Sequence, residues 1–363
     1  MRTNILSNYI IDYVEIYTPM AKPLAYWHTQ ALGFVNTAFA DSETGKAGSS
    51  SFLLSSGQVQ LLLTSAYPMG QMKAEEEITS FISRNYCGVK RFALKVDSVK
   101  ETFDKSLENG AFPVKFPTIV EDDNGFIEEA AIRLYDDREI LFINRDSYKG
   151  FRPGFRNTGH QRQQGRELLK NIDHIAAEVR INESHYWTEY LTRTIGTTMV
   201  QNIGSGEDNR TGMTLNINQS FDRNLTLVIA EPESYEKVSK VQKNIDMFGS
   251  GIHHLAFSTD DMAGTLKVFR ERNVEFVNFP PAYYDLLRAS DEFAGIDIDD
   301  LQINGILIDK EGDTYLLQKF IKPISDRPFF LYEIVQRVNG YNGFALKNIN
   351  ILKKSEEMEV VKL

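Results

Sequence analysis

Along the chain, apolar positions follow two alternating spacings. Four short stretches carry apolar residues at strand spacing: IIDYVEIYT from Ile10, GVKRFALKV from Gly88, NIDHIAAEV from Asn171 and GIHHLAFST from Gly251. Each begins about 80 residues after the one before and reads as a β-strand, in which successive side chains face opposite ways. A stretch at helical spacing follows each: MAKPLAYWHTQALGF, SVKETFDKSLENGA, ESHYWTEYLTRTIG and DMAGTLKVFRERNV. Further strand-like runs come next, among them SFLLSSGQVQLLLTS and INGILIDKEGDTYLLQKFI. The pattern predicts an α+β fold built from a βαβββ unit used four times. Paired modules of this kind curl into two pseudo-symmetric open barrels. The Gly-, Arg- and Gln-rich segment FRPGFRNTGHQRQQGRELLKN reads as a join. The expected organisation is a first half over 1–150, a linker over 151–169 and a second half over 170–363.

Aligning the four strands selects particular residues. His174-Ile175-Ala176 falls on His254-Leu255-Ala256, and Arg91-Phe92-Ala93 occupies the same frame. Strand alternation then turns His254 inward and His253 to the opposite face. The second half places two imidazoles at matched positions. The first half has Tyr13 and Arg91 there. With only six histidines in the chain, this coincidence points to a metal pair. Two imidazoles leave a divalent iron short of ligands, and a carboxylate on a third strand would complete a facial triad. PFFLYEIVQR, residues 328–337, supplies Glu333 inside an otherwise apolar run, a costly position for a carboxylate without a cation. The matching strand of the first half, EILFINR, puts Leu141 there, so that half should hold no metal. His28, His160 and His185 read as solvated residues outside the site, and Tyr283-Tyr284-Asp285 as packing and turn chemistry.

Bulk properties narrow the class. The net charge is −10, with no Lys/Arg-rich tract, which argues against nucleic acid and anionic membrane surfaces as partners. No apolar run reaches the roughly 20 residues of a membrane span. The first residues lack the order of a signal peptide, and the single cysteine, Cys87, fits a reducing compartment. A cytoplasmic enzyme acting on a small molecule is expected, and a homo-oligomer is compatible with the sequence.

Taken together, the motifs resemble the 4-hydroxyphenylpyruvate dioxygenase and 4-hydroxymandelate synthase family of the vicinal-oxygen-chelate superfamily. They are IDYVEIY, DSETG, RPGF, IDH at 172–174, GIHHLAF, AYYDLL, LLQKF at 316–320, KPISDRP, and EIVQR followed by NGF. The resemblance spans essentially the whole chain. It implies Fe(II) on His174, His254 and Glu333, the set the repeat had already singled out. It also implies an α-keto acid and dioxygen as substrates, with loss of carbon dioxide and hydroxylation of the same molecule. Substrate contacts carried over from the family are Gln318 at the keto-acid end and Phe320 and Phe344 as ring-stacking groups. Asn348 and Ile349 lie on the closing C-terminal helix.

The departures bear on the product. Ala230-Glu231-Pro232 stands where the dioxygenases have Asn-Glu-Pro, so an amide that reads the ring hydroxyl is missing. The family serine falls within MTLNIN, where Thr214 or Asn216 replaces it. Ile349 stands where the dioxygenases carry phenylalanine, which resembles the mandelate synthase branch and implies benzylic rather than ring hydroxylation. Ring hydroxylation to homogentisate is the alternative. A ring-cleaving catechol dioxygenase or a non-catalytic binding protein on the same fold are more distant rivals.

Overall fold

The computed structural model describes residues 9–67, 73–160, 167–204, 212–233, 239–328 and 330–360. The first half runs β1 (Ile10–Tyr17), α1 (Ala21–Trp27), β2 (Val35–Ala40), β3 (Ser49–Ser56), β4 (Val59–Ala66) and α2 (Lys73–Asn85). It continues with β5 (Gly88–Lys95), α3 (Val99–Glu108), β6 (Pro113–Asp122), β7 (Gly125–Leu134), β8 (Arg138–Asn144) and β9 (Arg156–Asn157). The second half opens with β10 (Ile172–Glu178), α4 (Ser184–Ile195), β11 (Thr198–Ile203), β12 (Met213–Gln219), β13 (Thr226–Pro232) and α5 (Lys240–Phe248). Then come β14 (Gly251–Ser258), α6 (Met262–Glu271), α7 (Pro281–Arg288), α8 (Ile298–Asn304), β15 (Leu307–Glu311), β16 (Thr314–Ile321), β17 (Leu331–Val338) and α9 (Leu346–Val360).

The strands form two sheets, ordered β6-β7-β8-β5-β1-β4-β3-β2-β9 and β11-β12-β13-β10-β14-β17-β16-β15. Each sheet joins two βαβββ modules through an antiparallel pair of first strands, β1 with β5 and β10 with β14. Local signals start the crossover helices as their chemistry requires. The Ser98 hydroxyl accepts from the Glu101 N–H at the head of α3, and Asp261 accepts from Gly264 N–H at the head of α6.

Strand alternation gives each sheet two faces with different duties. One face carries Val14, Ile16, Phe92 and Leu94 in the first sheet and Ile175, Leu255, Phe257 and Ile334 in the second. All of these belong to one continuous buried cluster with the helices of both halves. Burying each such side chain contributes about 1.5–3 kcal/mol, so the two halves stabilise one another. The other face of each sheet is concave: Tyr13, Leu53, Leu62, Ala93 and Leu141 line the first. Ala176, Ile217, Val228, Ala256, Leu316 and Val335 line the second. Charged contacts seal the seam. Arg180 makes a bidentate pair with Asp136 at 2.6 and 2.7 Å.

Three expectations shift. The segment expected to begin the linker belongs to the first half, because β9 pairs with β2 and Phe151 packs inside the first concave face. Residues 161–166 of that segment lie outside the described ones. The last strand starts at Leu331 rather than Pro328. His28, read as solvated, is fully buried instead: Nδ1 lies 2.8 Å from Leu24 O and Nε2 2.8 Å from Tyr332 Oη. A helix-spaced apolar stripe accepted the imidazole because both ring nitrogens find partners. His160 and His185 are exposed.

Candidate metal centre

The pairing of β10 with β14 is interrupted twice. Ile172 faces Phe257 while His174 faces Ala256, which leaves Asp173 as an extra residue. Ala176 faces His254 while Ala177 faces Ile252, which leaves His253 extra. Bulges of this kind re-aim side chains. Here each brings the extra residue against the Nδ1 edge of the following histidine. His174 Nδ1 lies 2.9 Å from Asp173 Oδ1, and His254 Nδ1 lies 2.8 Å from His253 Nδ1. His253 therefore does not turn to the opposite face. Regular alternation fails at a bulge, and the two rings sit edge to face with centroids 5.1 Å apart.

With both Nδ1 atoms engaged, both Nε2 atoms point at Glu333. They lie 3.2 Å from its Oε2 and 3.4 Å from each other. Ligand atoms of His174, His254 and Glu333 all fall within 4.8 Å of one another. Parallel pairing of β14 with β17 sets Glu333 beside Ala256, the residue opposite His174. The carboxylate is 1% exposed and its Oε2 makes no hydrogen bond among the described residues. A buried carboxylate oxygen without a partner is costly, and a cation shared with two imidazoles would satisfy it. The donor set of two nitrogens and one oxygen suits a divalent first-row metal such as iron.

Electrostatics agree with that purpose. Burial would raise the Glu333 carboxyl, but the two imidazoles beside it, His174 foremost, hold it down at about 2. Burial would lower His174, yet Glu333 and Asp173 lift it to about 9. His254 is lowered, by burial first, against the pull of Glu333. Asp173 is itself clamped by Arg337, at 2.7 Å through Nε and 2.8 Å through Nη2.

Most of the expected substrate residues meet at this centre. Gln318 donates to Glu333 Oε1 at 2.7 Å and accepts from Asn348 Nδ2 at 2.8 Å; Asn348 in turn accepts from the Tyr283 hydroxyl at 2.8 Å. Tyr283, read from sequence as packing, thus anchors this chain. Phe320, directly opposite Glu333 in register, sets its ring 5.6 Å from that of His254. Phe344 lies 5.9 Å from the His174 ring. Ile349 packs on the inward cluster of Ala256, Leu316 and Val335.

Thr214 and Asn216 do not join them. On β12 the inward residues are Leu215 and Ile217, which pack with Ala176, Val228 and Phe344. By alternation Thr214 and Asn216 take the helix-covered face, where Asn216 donates to Thr188 of α4 at 3.2 Å. A one-residue difference in register inverts every side chain of a strand. Ala230 does share the inward face, since it pairs with Leu215 and, on the other side, with Glu178. Glu178 was missed in the sequence. It is buried, its Oε1 lies 3.8 Å from His253 Nε2, and Asn244 Nδ2 donates a short hydrogen bond to its Oε2. A carboxylate within the apolar run that follows His174, IAAEV, was the available signal.

Known proteins resemble the chain at two levels. Residues 171–297 match the Glyoxalase/Bleomycin resistance protein/Dioxygenase superfamily. A 4-hydroxyphenylpyruvate dioxygenase of Yarrowia lipolytica is 30% identical over 374 residues, covering 99% of this chain and 94% of that protein. One from Tetrahymena thermophila is 31% identical, covering 96% of this chain and 89% of the other. In fold, a mutant 4-hydroxymandelate synthase from Streptomyces coelicolor superposes with a TM-score of 0.83 at 24% identity, covering 98% of this chain and 99% of its own.

Proposed function

Because the chain belongs to the 4-hydroxyphenylpyruvate dioxygenase family, we propose that it binds Fe(II) through His174, His254 and Glu333 and converts 4-hydroxyphenylpyruvate and dioxygen to 4-hydroxymandelate and carbon dioxide. Atoms balance: the old carboxyl carbon leaves as carbon dioxide with its own two oxygens, one atom of dioxygen enters the new carboxylate formed from the keto carbon, and the other becomes the benzylic hydroxyl. Bound iron would supply the chelating centre for the keto acid and the activation of dioxygen. The chain's own residues supply position and exclusion of water.

Asp173 and His253 fix the tautomers that leave Nε2 free, as outer partners of metal ligands do. Gln318 holds one oxygen of Glu333, so that the other is presented to the metal. Phe320 and Phe344 press edge-on against the two ligand imidazoles and shield them from solvent, and their rings orient an aromatic substrate. Beyond them the wall is apolar: Leu215, Ile217 and Ala230 offer no hydroxyl or amide to the ring. Glu178, next to Ala230 on the same face, offers an acceptor to which a para-hydroxyl would donate.

The placement of Ile349 carries the benzylic assignment. It packs against Ala256, Leu316 and Val335 on the same inward face as Glu333. Its aliphatic side chain offers no ring to stack on, so the substrate's methylene carbon is presented in place of its aromatic face. Placement errors of 1 Å change such rates about 100-fold.

The test is anaerobic loading with Fe(II), then oxygen and 4-hydroxyphenylpyruvate, with the isomeric products separated by chromatography and identified by NMR. The expected product is 4-hydroxymandelate, and Ile349→Phe should divert part of the flux to homogentisate. Homogentisate alone from the unaltered protein would overturn the benzylic assignment and leave the iron site intact.

A further inference from the structure

The first half repeats the scaffold of the metal centre without its ligands. Tyr13 faces Ala93, which lies beside Leu141, as His174 faces Ala256 beside Glu333. Arg91 faces Glu15 as His254 faces Ala176. The outer partners are duplicated as well. Arg145 pairs with Asp12 at 2.7 Å, donates to Phe151 O at 3.2 Å and lies over the Phe151 ring at 5.1 Å. In the second half Arg337 pairs with Asp173 at 2.8 Å, donates to Gly343 O at 2.9 Å and lies over Phe344 at 4.8 Å. Phe151 thus stands to Tyr13 as Phe344 stands to His174, with ring centroids 5.3 and 5.9 Å apart.

Tyr13, Ala93, Leu141 and Phe151 pack on one another in that framework, and an opening lies beside them, next to Glu15 and Arg91. A cavity of about 480 Å³ remains, bounded among others by Glu15, Lys46, Thr64, Arg91, Arg152 and Phe155. Its volume suits a small organic molecule, and its charges do not cancel. On one side Lys90 and Arg91 meet three carboxylates, Glu15, Glu77 and Glu139. On the other side Lys115 and Arg152 share the single carboxylate Glu129. There Lys46 has no carboxylate partner among the described residues and donates to the Ser51 hydroxyl at 2.8 Å. Of the charged side chains that line the cavity itself, Lys46, Arg91 and Arg152 outnumber Glu15 and Glu77 by one. Arg152 reaches Glu129 through Nη2 alone, and its Nε and Nη1 make no hydrogen bond among the described residues. The Tyr13 hydroxyl, fully buried and within electrostatic reach of Arg152, is also without a hydrogen bond among the described residues.

We infer that this cavity binds a small organic monocarboxylate, its anionic end between Lys46 and Arg152 and its apolar part against Phe155 and Leu62. A guanidinium and an ammonium on one oxyanion give charge-assisted hydrogen bonds, and the ring and aliphatic wall favours an organic body over a bare ion. Arg91 at the position of the second metal histidine excludes a cation.

The test uses the full-length, Fe(II)-loaded protein titrated anaerobically with phenylacetate by calorimetry, with inorganic phosphate as a separate arm. Two binding events for phenylacetate are expected, one at the iron centre and one in the first half. Lys46→Gln, at a half-buried position with one hydroxyl partner, should weaken one event about tenfold or more, as should Arg152→Gln. Iron content and the other event should be unchanged. A single event untouched by Lys46→Gln would overturn the inference. Phosphate bound as tightly as phenylacetate, and lost in the same variants, would also overturn it in favour of a bare anion site.

Discussion

At the residue scale, two bulges decide what each histidine does. His174 and His254 carry their Nε2 atoms to Glu333 because Asp173 and His253 occupy the Nδ1 edges. Replacing His174, His254 or Glu333 with Ala should therefore abolish tight iron binding. His253→Ala should retain iron with affinity lowered about 10- to 100-fold. Metal analysis after equilibrium dialysis distinguishes these, and an iron-free His253→Ala beside an iron-loaded His254→Ala would refute the geometry. One iron per chain is expected, since Tyr13, Arg91 and Leu141 stand in the corresponding places of the first half. Glu178 yields a second residue-scale prediction. Glu178→Gln should raise KM for 4-hydroxyphenylpyruvate several-fold, since exchanging a charged acceptor for a neutral one costs about 1 kcal/mol, and leave KM for phenylpyruvate nearly unchanged. Equal changes for both substrates would remove Glu178 from ring recognition.

At the element scale, α1 and β17 are joined by one buried imidazole. His28 holds a carbonyl of its own helix with Nδ1 and the Tyr332 hydroxyl with Nε2, one residue before Glu333. Burial holds its pKa down at about 4. An unfolded chain binds a proton on this histidine below about pH 6.5, while the folded chain does not until about pH 4. Stability contributed by the neutral ring is complete above pH 6.5 and is lost as pH falls from 6.5 towards 4, by about 3 kcal/mol at 1.36 kcal/mol per unit. His28→Gln should be less stable at pH 7.5 and should show a shallower decline between pH 6.5 and 4.5 in urea titrations. Parallel stability curves for the two proteins would contradict this. The sequence pattern supplied α1 and β17 as elements, yet not their contact. A helical histidine reads as solvated until the packing partner is known.

At the scale of the whole molecule, four modules make two sheets, and their helix-covered faces share one core. Phe34 of the first half meets Phe257 of the second with centroids 6.2 Å apart, and Arg327 of the second half donates to Cys87 O of the first at 3.0 Å. A fragment comprising 170–363 alone would expose the face carrying Ile175, Leu255, Phe257 and Ile334. It should be largely insoluble or bind a hydrophobic dye, although it contains all three residues of the metal centre. A monomeric fragment with a sharp thermal transition and full iron content would show the halves to be independent.

What the sequence determined by itself was local or repeated. Strands and helices follow from the spacing of apolar residues. The βαβββ repeat superimposed His174 on His254 and left Tyr13, Arg91 and Leu141 as their metal-free counterparts. A lone acid in an apolar strand exposed Glu333. These were legible because burial and periodicity act residue by residue along the chain. Tertiary structure alone decided the rest. The bulges that set His253 beside His254, the turn of Thr214 and Asn216 away from the site, and the joining of Tyr283, Asn348 and Gln318 to Glu333 all depend on register between strands and on contacts distant in sequence. A shift of one residue in pairing reverses a strand's faces without altering its composition, so composition cannot report it.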